Sequence, residues 1–140
     1  MKSKNIRPLF KPNPVKRDIE DRADIVVLVN IFYQKIKTDK LIGYIFTDIA
    51  RLNWEKHLPI MYDFWDNILF YTENYEGNPM LMHGHLSKIT DLEKKHFRRW
   101  TKLFSDTVDE LFAGERAELI KQKSMSISKI LQQSIFGKSS

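Results

Sequence analysis

Residues 54–65 read WEKHLPIMYDFW and belong to a helical pattern that extends over about residues 52–71. Apolar side chains recur there at steps of three and four, which places them on one face of a helix. His57 shares that face with Trp54 and Trp65, so its imidazole is predicted to point inward. Pro59 removes one amide donor and crowds the preceding turn, so we expect a kink or a helix restart there.

The same spacing continues towards the N-terminus. It predicts a helix over about residues 22–38, in which Tyr33 points inward. A turn-rich segment follows through Leu41, Gly43 and Phe46. Hydrophobic spacing beyond residue 18 is helical almost everywhere, and the fold class is therefore predicted to be all-α.

Three more helices are expected towards the C-terminus. Asn78 and Pro79 have the form of a helix start, and the short helix that they begin carries His83. Thr90 and Glu93 are spaced as a capping box, which predicts a helix that runs to Phe112 and stops at Gly114. A last helix is expected over about residues 115–134.

Composition predicts one domain with a disordered basic arm. The chain has 140 residues, of which 42% are hydrophobic, and its aliphatic runs are far too short to span a bilayer. Six of the basic residues that give the net charge of +5 lie within residues 1–17, where no acidic residue occurs. We expect a disordered arm over 1–18, not a signal peptide, then a folded domain over 19–136 and a tail over 137–140.

The choice of metal ligands is narrow, because the chain has no cysteine and four histidines. His57 has two interpretations: it is either a hydrogen-bonded core residue or a residue of a binding site. His83 lies near Met82 and Leu86, an apolar wall that suits a porphyrin, although a surface histidine on a connector fits as well. Glu93 and His96 form half of a di-iron motif whose second copy is missing. Nucleotide-binding loops and hydrolase motifs are also missing from the sequence.

In their order and spacing, several stretches resemble the group III truncated haemoglobins. The stretches are Ile31-Phe32-Tyr33, Leu41-Ile42-Gly43 with Ile45-Phe46, Trp54 to Met61, Asp63-Phe64-Trp65, Tyr75 with Gly77-Asn78-Pro79-Met80 and His83, and His96-Phe97 with Trp100. The resemblance covers residues 24–130 and implies a truncated globin fold, a two-over-two helical sandwich around haem. Gly84-His85 directly after His83 and the long basic arm depart from the family pattern.

The resemblance also implies the roles of individual residues. His83 would be the proximal ligand of the haem b iron, and Tyr33, His57 and Trp100 would line the distal side and stabilise bound ligand. The other side chains implied to contact haem are Phe46, Met61, Trp65, Met82, Leu86 and Phe97.

A Tyr, His and Trp pocket suits tight binding of O2, or redox chemistry on O2, NO or peroxide. CO is a further expected ligand, and oxygen transport, NO dioxygenase and peroxidase-like activities stay open, as does a reductase partner. We expect a cytoplasmic monomer without a membrane or a specific nucleic-acid partner. The alternative is a cofactor-free helical interaction module, in which the aromatic residues are core and the basic arm is the contact.

Overall fold

The computed structural model describes residues 15–49, 53–70 and 92–137. Within these ranges the chain is helical and has no strand, which confirms the all-α prediction. The elements are α1 (Arg22–Thr38), a π-helical segment (Ile45–Ile49), α2 (Trp54–Phe70), α3 (Lys94–Leu111) and α4 (Glu115–Phe136).

Helix α1 has the predicted bounds and the predicted inner face. The Asp21 side chain caps its start by accepting from the backbone N–H of Asp24. Phe32 and Tyr33 are buried on its inner side. Asp39 ends the helix in an extended conformation.

Helix α2 continues without a break through Pro59, so the helix restart expected there is wrong. Pro59 stands in the second turn and is exposed. It removes only the bond that the Glu55 carbonyl would accept, and Glu55 is itself exposed to water that can replace this bond. Met61 and Trp65 are buried on the inner face, as their spacing predicted, and Phe64 is buried beside Trp65.

Two helix ends differ from the prediction. Glu93 is the N-cap of α3, and its backbone N–H donates to Nδ1 of His96 over 2.9 Å, whereas Thr90 lies outside the described residues. Gly114 does not end α3, which is capped at Phe112. It is the N-cap of α4, with φ of +146° in a region that favours glycine.

The four α-helices in the described part of the chain form a closed ring of contacts. Helix α1 packs on α2 and α3, α3 packs on α4, and α4 returns to α2. Each of these four helices therefore packs against two of the others, and the buried aromatic side chains lie between them. The described part of the chain contains no helix with the length and apolar character needed to cross a membrane.

The segment before α1 is attached to the start of α4. The Asp18 carboxylate accepts from the backbone N–H groups of Arg116 and Ala117 over 2.8 and 2.9 Å. Arg17 pairs with Asp24 over 2.7 Å. The basic arm was expected to extend to residue 18, but these contacts place the start of the folded body at Lys16 to Asp18, and residues 1–14 lie outside the described ranges.

Candidate functional site

The centre of the candidate site is a buried tyrosine paired with a histidine. The Tyr33 phenol oxygen, on α1, lies 3.3 Å from Nε2 of His57, on the first turn of α2. Tyr33 is 2% exposed, and its ring meets the His57 ring edge to face at a centroid distance of 5.3 Å. Sequence periodicity placed both side chains inward, and the packing of α1 on α2 brings them together.

Burial determines the protonation state of Tyr33. The surrounding low-dielectric interior raises the pKa of its phenol far above the usual value of 10.0. Tyr33 is therefore a neutral O–H donor at neutral pH. Since Nε2 of His57 can either accept that hydrogen or donate one of its own, the pair can hold or pass a proton.

Two more rings surround the Tyr33 side chain. Trp54, the first residue of α2, lies 5.3 Å from Tyr33 and 5.8 Å from His57 between ring centroids. Phe46, in the π-helical segment, is 6.4 Å from Tyr33 and 8% exposed. The phenol thus lies among aromatic edges that exclude water.

A stack of rings extends from this site into the core. Trp100 and Phe104 on α3 are stacked at 5.7 Å, and Phe104 stacks in turn on Trp65 of α2 at 4.9 Å. Phe32 joins the stack to the site, because its ring lies 5.5 Å from Trp100 and 4.9 Å from that of its neighbour Tyr33. Trp65 is 2% exposed, whereas Trp100 is only half-buried.

The remaining predicted residues divide into three groups. Met61 is buried in the same cluster as Tyr33 and Trp65. Phe97 is buried as well, but its described ring contact is with Phe136 at 5.9 Å, outside that cluster. The residues predicted on the short helix lie outside the described ranges: His83, Met82, Leu86 and the neighbouring His85.

Trp54 and Lys37 are two members of the site to which the sequence analysis gave no role. The Lys37 ammonium lies 4.5 Å from the centroid of the Trp54 ring, in a cation–π contact. Lys37 follows Tyr33 by one helical turn, and Trp54 precedes His57 by three residues. This spacing could have indicated that the four side chains share one region.

An ion pair closes the end of α1 beside the site. Both Nε and Nη2 of Arg99 on α3 donate to Oδ1 of Asp39, over 2.9 and 2.7 Å. The backbone N–H groups of Leu41 and Ile42 donate to the other carboxylate oxygen over 3.1 Å each. Asp39 thereby fixes the turn that leads to Phe46.

Among residues 15–49, 53–70 and 92–137, no group of three or more His, Cys, Asp or Glu side chains could hold a bare metal ion. The described site consists of one phenol, one imidazole and indole rings in an apolar surround. Such a site offers hydrogen-bond donors and a flat apolar wall to a bound group.

Helices packed in this ring, with a buried tyrosine and a histidine facing each other across two of them, have the fold of a truncated globin. The crystal structure of a group III truncated haemoglobin from Campylobacter jejuni superposes with a TM-score of 0.74 at 25% identity, over 87% of this chain and 96% of that one. In sequence, the chain is 26% identical over 125 residues to "Group 3 truncated hemoglobin ctb" of the same organism. That match covers 87% of this chain and 96% of the relative. No protein-family model matches the chain. The resemblance to the group III truncated haemoglobins that the sequence indicated is confirmed in sequence and in fold.

Proposed function

We propose that the chain binds haem b through His83 and holds a diatomic ligand, O2, NO or CO, on the side of Tyr33. The observation that carries this proposal is the buried Tyr33 hydroxyl paired with His57 among aromatic rings. The truncated haemoglobins that the chain resembles support the haem assignment.

The described residues fit a haem group. A porphyrin supplies four nitrogen ligands itself, so the protein needs to add one imidazole and a shaped apolar cavity. Phe46, Met61 and Trp65 are apolar and buried beside the Tyr33 site. The single imidazole would be that of His83, whose position follows from the resemblance alone.

When bound, haem would supply an iron atom that can take a diatomic ligand. The chain contributes hydrogen-bond donors to that ligand. When Nε2 of His57 carries a proton, it donates to the Tyr33 oxygen and leaves the phenol hydrogen free to point at the ligand. The Trp100 indole N–H is the second donor in this proposal. The aromatic edges around Tyr33 keep water out, which strengthens each of these bonds.

The same hydrogen-bond donors suit redox chemistry on a bound ligand as well as storage of O2. Two donors to one ligand, Tyr33 and Trp100, with His57 holding the Tyr33 hydroxyl in place, would favour slow O2 release and would also stabilise negative charge on oxygen in NO dioxygenation or peroxide reduction. An electron donor such as a reductase is required for the redox reactions, whereas oxygen transport needs none.

We also propose that the protein is a monomer in the cytoplasm.

The visible absorption spectrum of the purified protein, expressed with haem supplied, tests the proposal. We expect a strong Soret band in the wild type and its loss or weakening in His83→Ala. The matched control is His85→Ala, which removes the imidazole two residues away and should leave the band unchanged.

A Soret band that survives His83→Ala and disappears in His85→Ala would move the proximal ligand to His85. A wild type without any Soret band after haem titration would overturn haem binding. The cofactor-free interaction module would then be the better account of the aromatic cluster.

A further inference from the structure

Two sets of aromatic rings lead away from Tyr33, each containing oxidisable tryptophan, and they end in different places. One set passes through Phe32, Trp100 and Phe104 to Trp65, which is buried in the core. The other is a single step of 5.3 Å to Trp54, which is half-buried at the start of α2. An oxidising equivalent on Tyr33 can therefore damage the core or leave through Trp54.

We propose that Tyr33 and Trp54 form a one-electron relay that carries oxidising equivalents from the pocket to the protein surface when the protein reduces a hydroperoxide. The relay rests on the proposed haem function. It gives the site a route for electrons from small soluble donors, such as ascorbate or phenols, that does not require them to enter the pocket.

The electron balance requires two passages through the relay for each peroxide. Reduction of one hydrogen peroxide to two water molecules consumes two electrons and two protons. In each passage Tyr33 gives one electron to the pocket and passes its phenol proton to Nε2 of His57. Trp54 then returns an electron to Tyr33, which takes its proton back, and the Trp54 indole releases a proton to water. A soluble donor finally restores the Trp54 electron and water restores its proton, leaving Trp54 unchanged. The donor, an ascorbate or a phenol, releases one proton to water for each electron it gives, and this balances the proton that peroxide reduction takes up from water in each passage.

The Tyr33 environment supports the first of these transfers. Burial keeps the phenol protonated, so it can lose an electron only if a base takes its proton at the same time. His57 Nε2, 3.3 Å from the phenol oxygen, is positioned to accept it when the imidazole carries its other hydrogen on Nδ1. Tyr33, His57 and Trp54 are in mutual edge contact, so His57 can take the phenol proton while Trp54 supplies the electron that replaces the one Tyr33 has lost.

Lys37 sets how easily Trp54 is oxidised. Its ammonium lies 4.5 Å from the Trp54 centroid, where it is attracted to the neutral ring and repelled by the positive charge of an oxidised one. The contact therefore makes the oxidised Trp54 ring less stable and favours its rapid reduction to the neutral indole. Lys37→Met should make Trp54 easier to oxidise.

Mass spectrometry of the haem-loaded protein tests the relay. The ferric protein is treated with hydrogen peroxide in the presence of O2 and without a soluble donor, so that indole radicals are converted to covalently oxidised tryptophan. Trypsin cleaves after Arg51, Lys56 and Arg99, and places Trp54, Trp65 and Trp100 on separate peptides. We expect oxidation to accumulate on Trp54 and to be suppressed by ascorbate.

Four variants separate the relay from a packing role. Trp54→Phe keeps an aromatic ring beside His57 but should lose radical transfer, so that oxidation shifts to Trp100 and Trp65. Trp54→Tyr should restore protection of the core. Lys37→Met should increase the oxidised fraction of Trp54, a result that is not expected if Trp54 has only a packing role. Tyr44→Phe removes an exposed tyrosine outside these contacts and should match the wild type.

The failure of the relay is distinguishable from the failure of haem binding. A normal Soret band together with oxidation mainly on Trp65 or Trp100 in the wild type overturns the relay and leaves the haem function standing. An unchanged oxidised fraction of Trp54 in Tyr33→Phe also overturns it, because Tyr33 is the first carrier. Absence of the Soret band overturns the haem function and the relay together.

Discussion

The phenol oxygen of Tyr33 lies 3.3 Å from Nε2 of His57, although the two residues belong to different helices and are separated by 24 positions in sequence. The hydroxyl is thus satisfied inside an aromatic surround that would otherwise penalise a buried polar group. The same bond holds a donor in place for any ligand that enters the site. Its removal should affect ligand release more than folding.

For Tyr33→Phe we expect the O2 dissociation rate of the ferrous haem protein to rise about tenfold or more. A hydrogen bond to a partly charged acceptor contributes about 1.5 kcal/mol or more, and about 1.4 kcal/mol corresponds to a factor of ten. Stopped-flow displacement of O2 by CO measures the rate, with Tyr44→Phe as the control. An unchanged rate in Tyr33→Phe would remove this hydroxyl from ligand stabilisation.

Helical periodicity was sufficient to place Tyr33 and His57 on inward faces. The register of a helix relative to its buried side follows from local sequence, and both side chains lie where that register put them. The sequence did not indicate the edge contacts of Trp54 with both residues, nor the cation–π contact of Lys37. Those contacts depend on how α1 and α2 pack, which spacing within one helix does not specify.

The contact of the N-terminal segment with the start of α4 also could not be predicted from the local sequence. Gly114 was expected to stop a helix, a common use of glycine, but its positive φ serves the start of α4. The reason lies almost a hundred residues away, where the Asp18 carboxylate occupies the space that a Cβ at Gly114 would need. No pattern within either segment reveals a pairing over that separation.

Gly114→Ala should destabilise the fold by about 1–3 kcal/mol. An added Cβ would overlap the carboxylate carbon of Asp18, and φ of +146° is itself strained for alanine. Urea unfolding followed by far-UV circular dichroism measures the loss. Gly137→Ala is the matched control, because nothing lies within 4 Å of its added Cβ, and it should unfold at the wild-type midpoint or slightly above. Equal midpoints for all three proteins would contradict this account of Gly114.

Phe104→Ala should cost about 3–5 kcal/mol, because it leaves a cavity between two tryptophans. The side chain is fully buried, stacked on Trp65 at 4.9 Å and on Trp100 at 5.7 Å. The coupled rings should also give a near-ultraviolet circular dichroism signal that weakens in the variant. Phe104→Leu keeps most of the volume, so it should lose the spectral signal at a smaller cost in stability. Retention of the signal in both variants would show that the two indoles are not coupled through Phe104.

The buried Asp39 carboxylate should make stability depend on acid. Burial by itself would raise its pKa, but the Arg99 guanidinium and the amides of Ile42 and Leu41 outweigh burial and hold the pKa below the usual 3.8. A carboxylate whose pKa is lower in the folded state stabilises the protein at pH values above its unfolded-state pKa. This stabilisation is lost as the pH falls through its folded-state pKa. The stability difference between the wild type and Asp39→Ala should therefore be constant near neutrality and shrink below about pH 4.

At neutral pH, Asp39→Ala should cost about 1–3 kcal/mol, since it leaves two backbone donors and a guanidinium without their acceptor. Arg99→Met should cost less, because the Arg99 side chain is 38% exposed and solvent screens its charge. Urea unfolding as a function of pH measures both variants. The control is Asp106→Asn. The Asp106 side chain is 47% exposed and that of its partner Lys102 is 63% exposed, so this change should leave stability nearly unchanged.

Because Asp39 fixes the turn before Phe46, a haem-loaded Asp39→Ala should also lose haem faster than the control. Equal rates of haem loss from both variants would confine Asp39 to a role in folding.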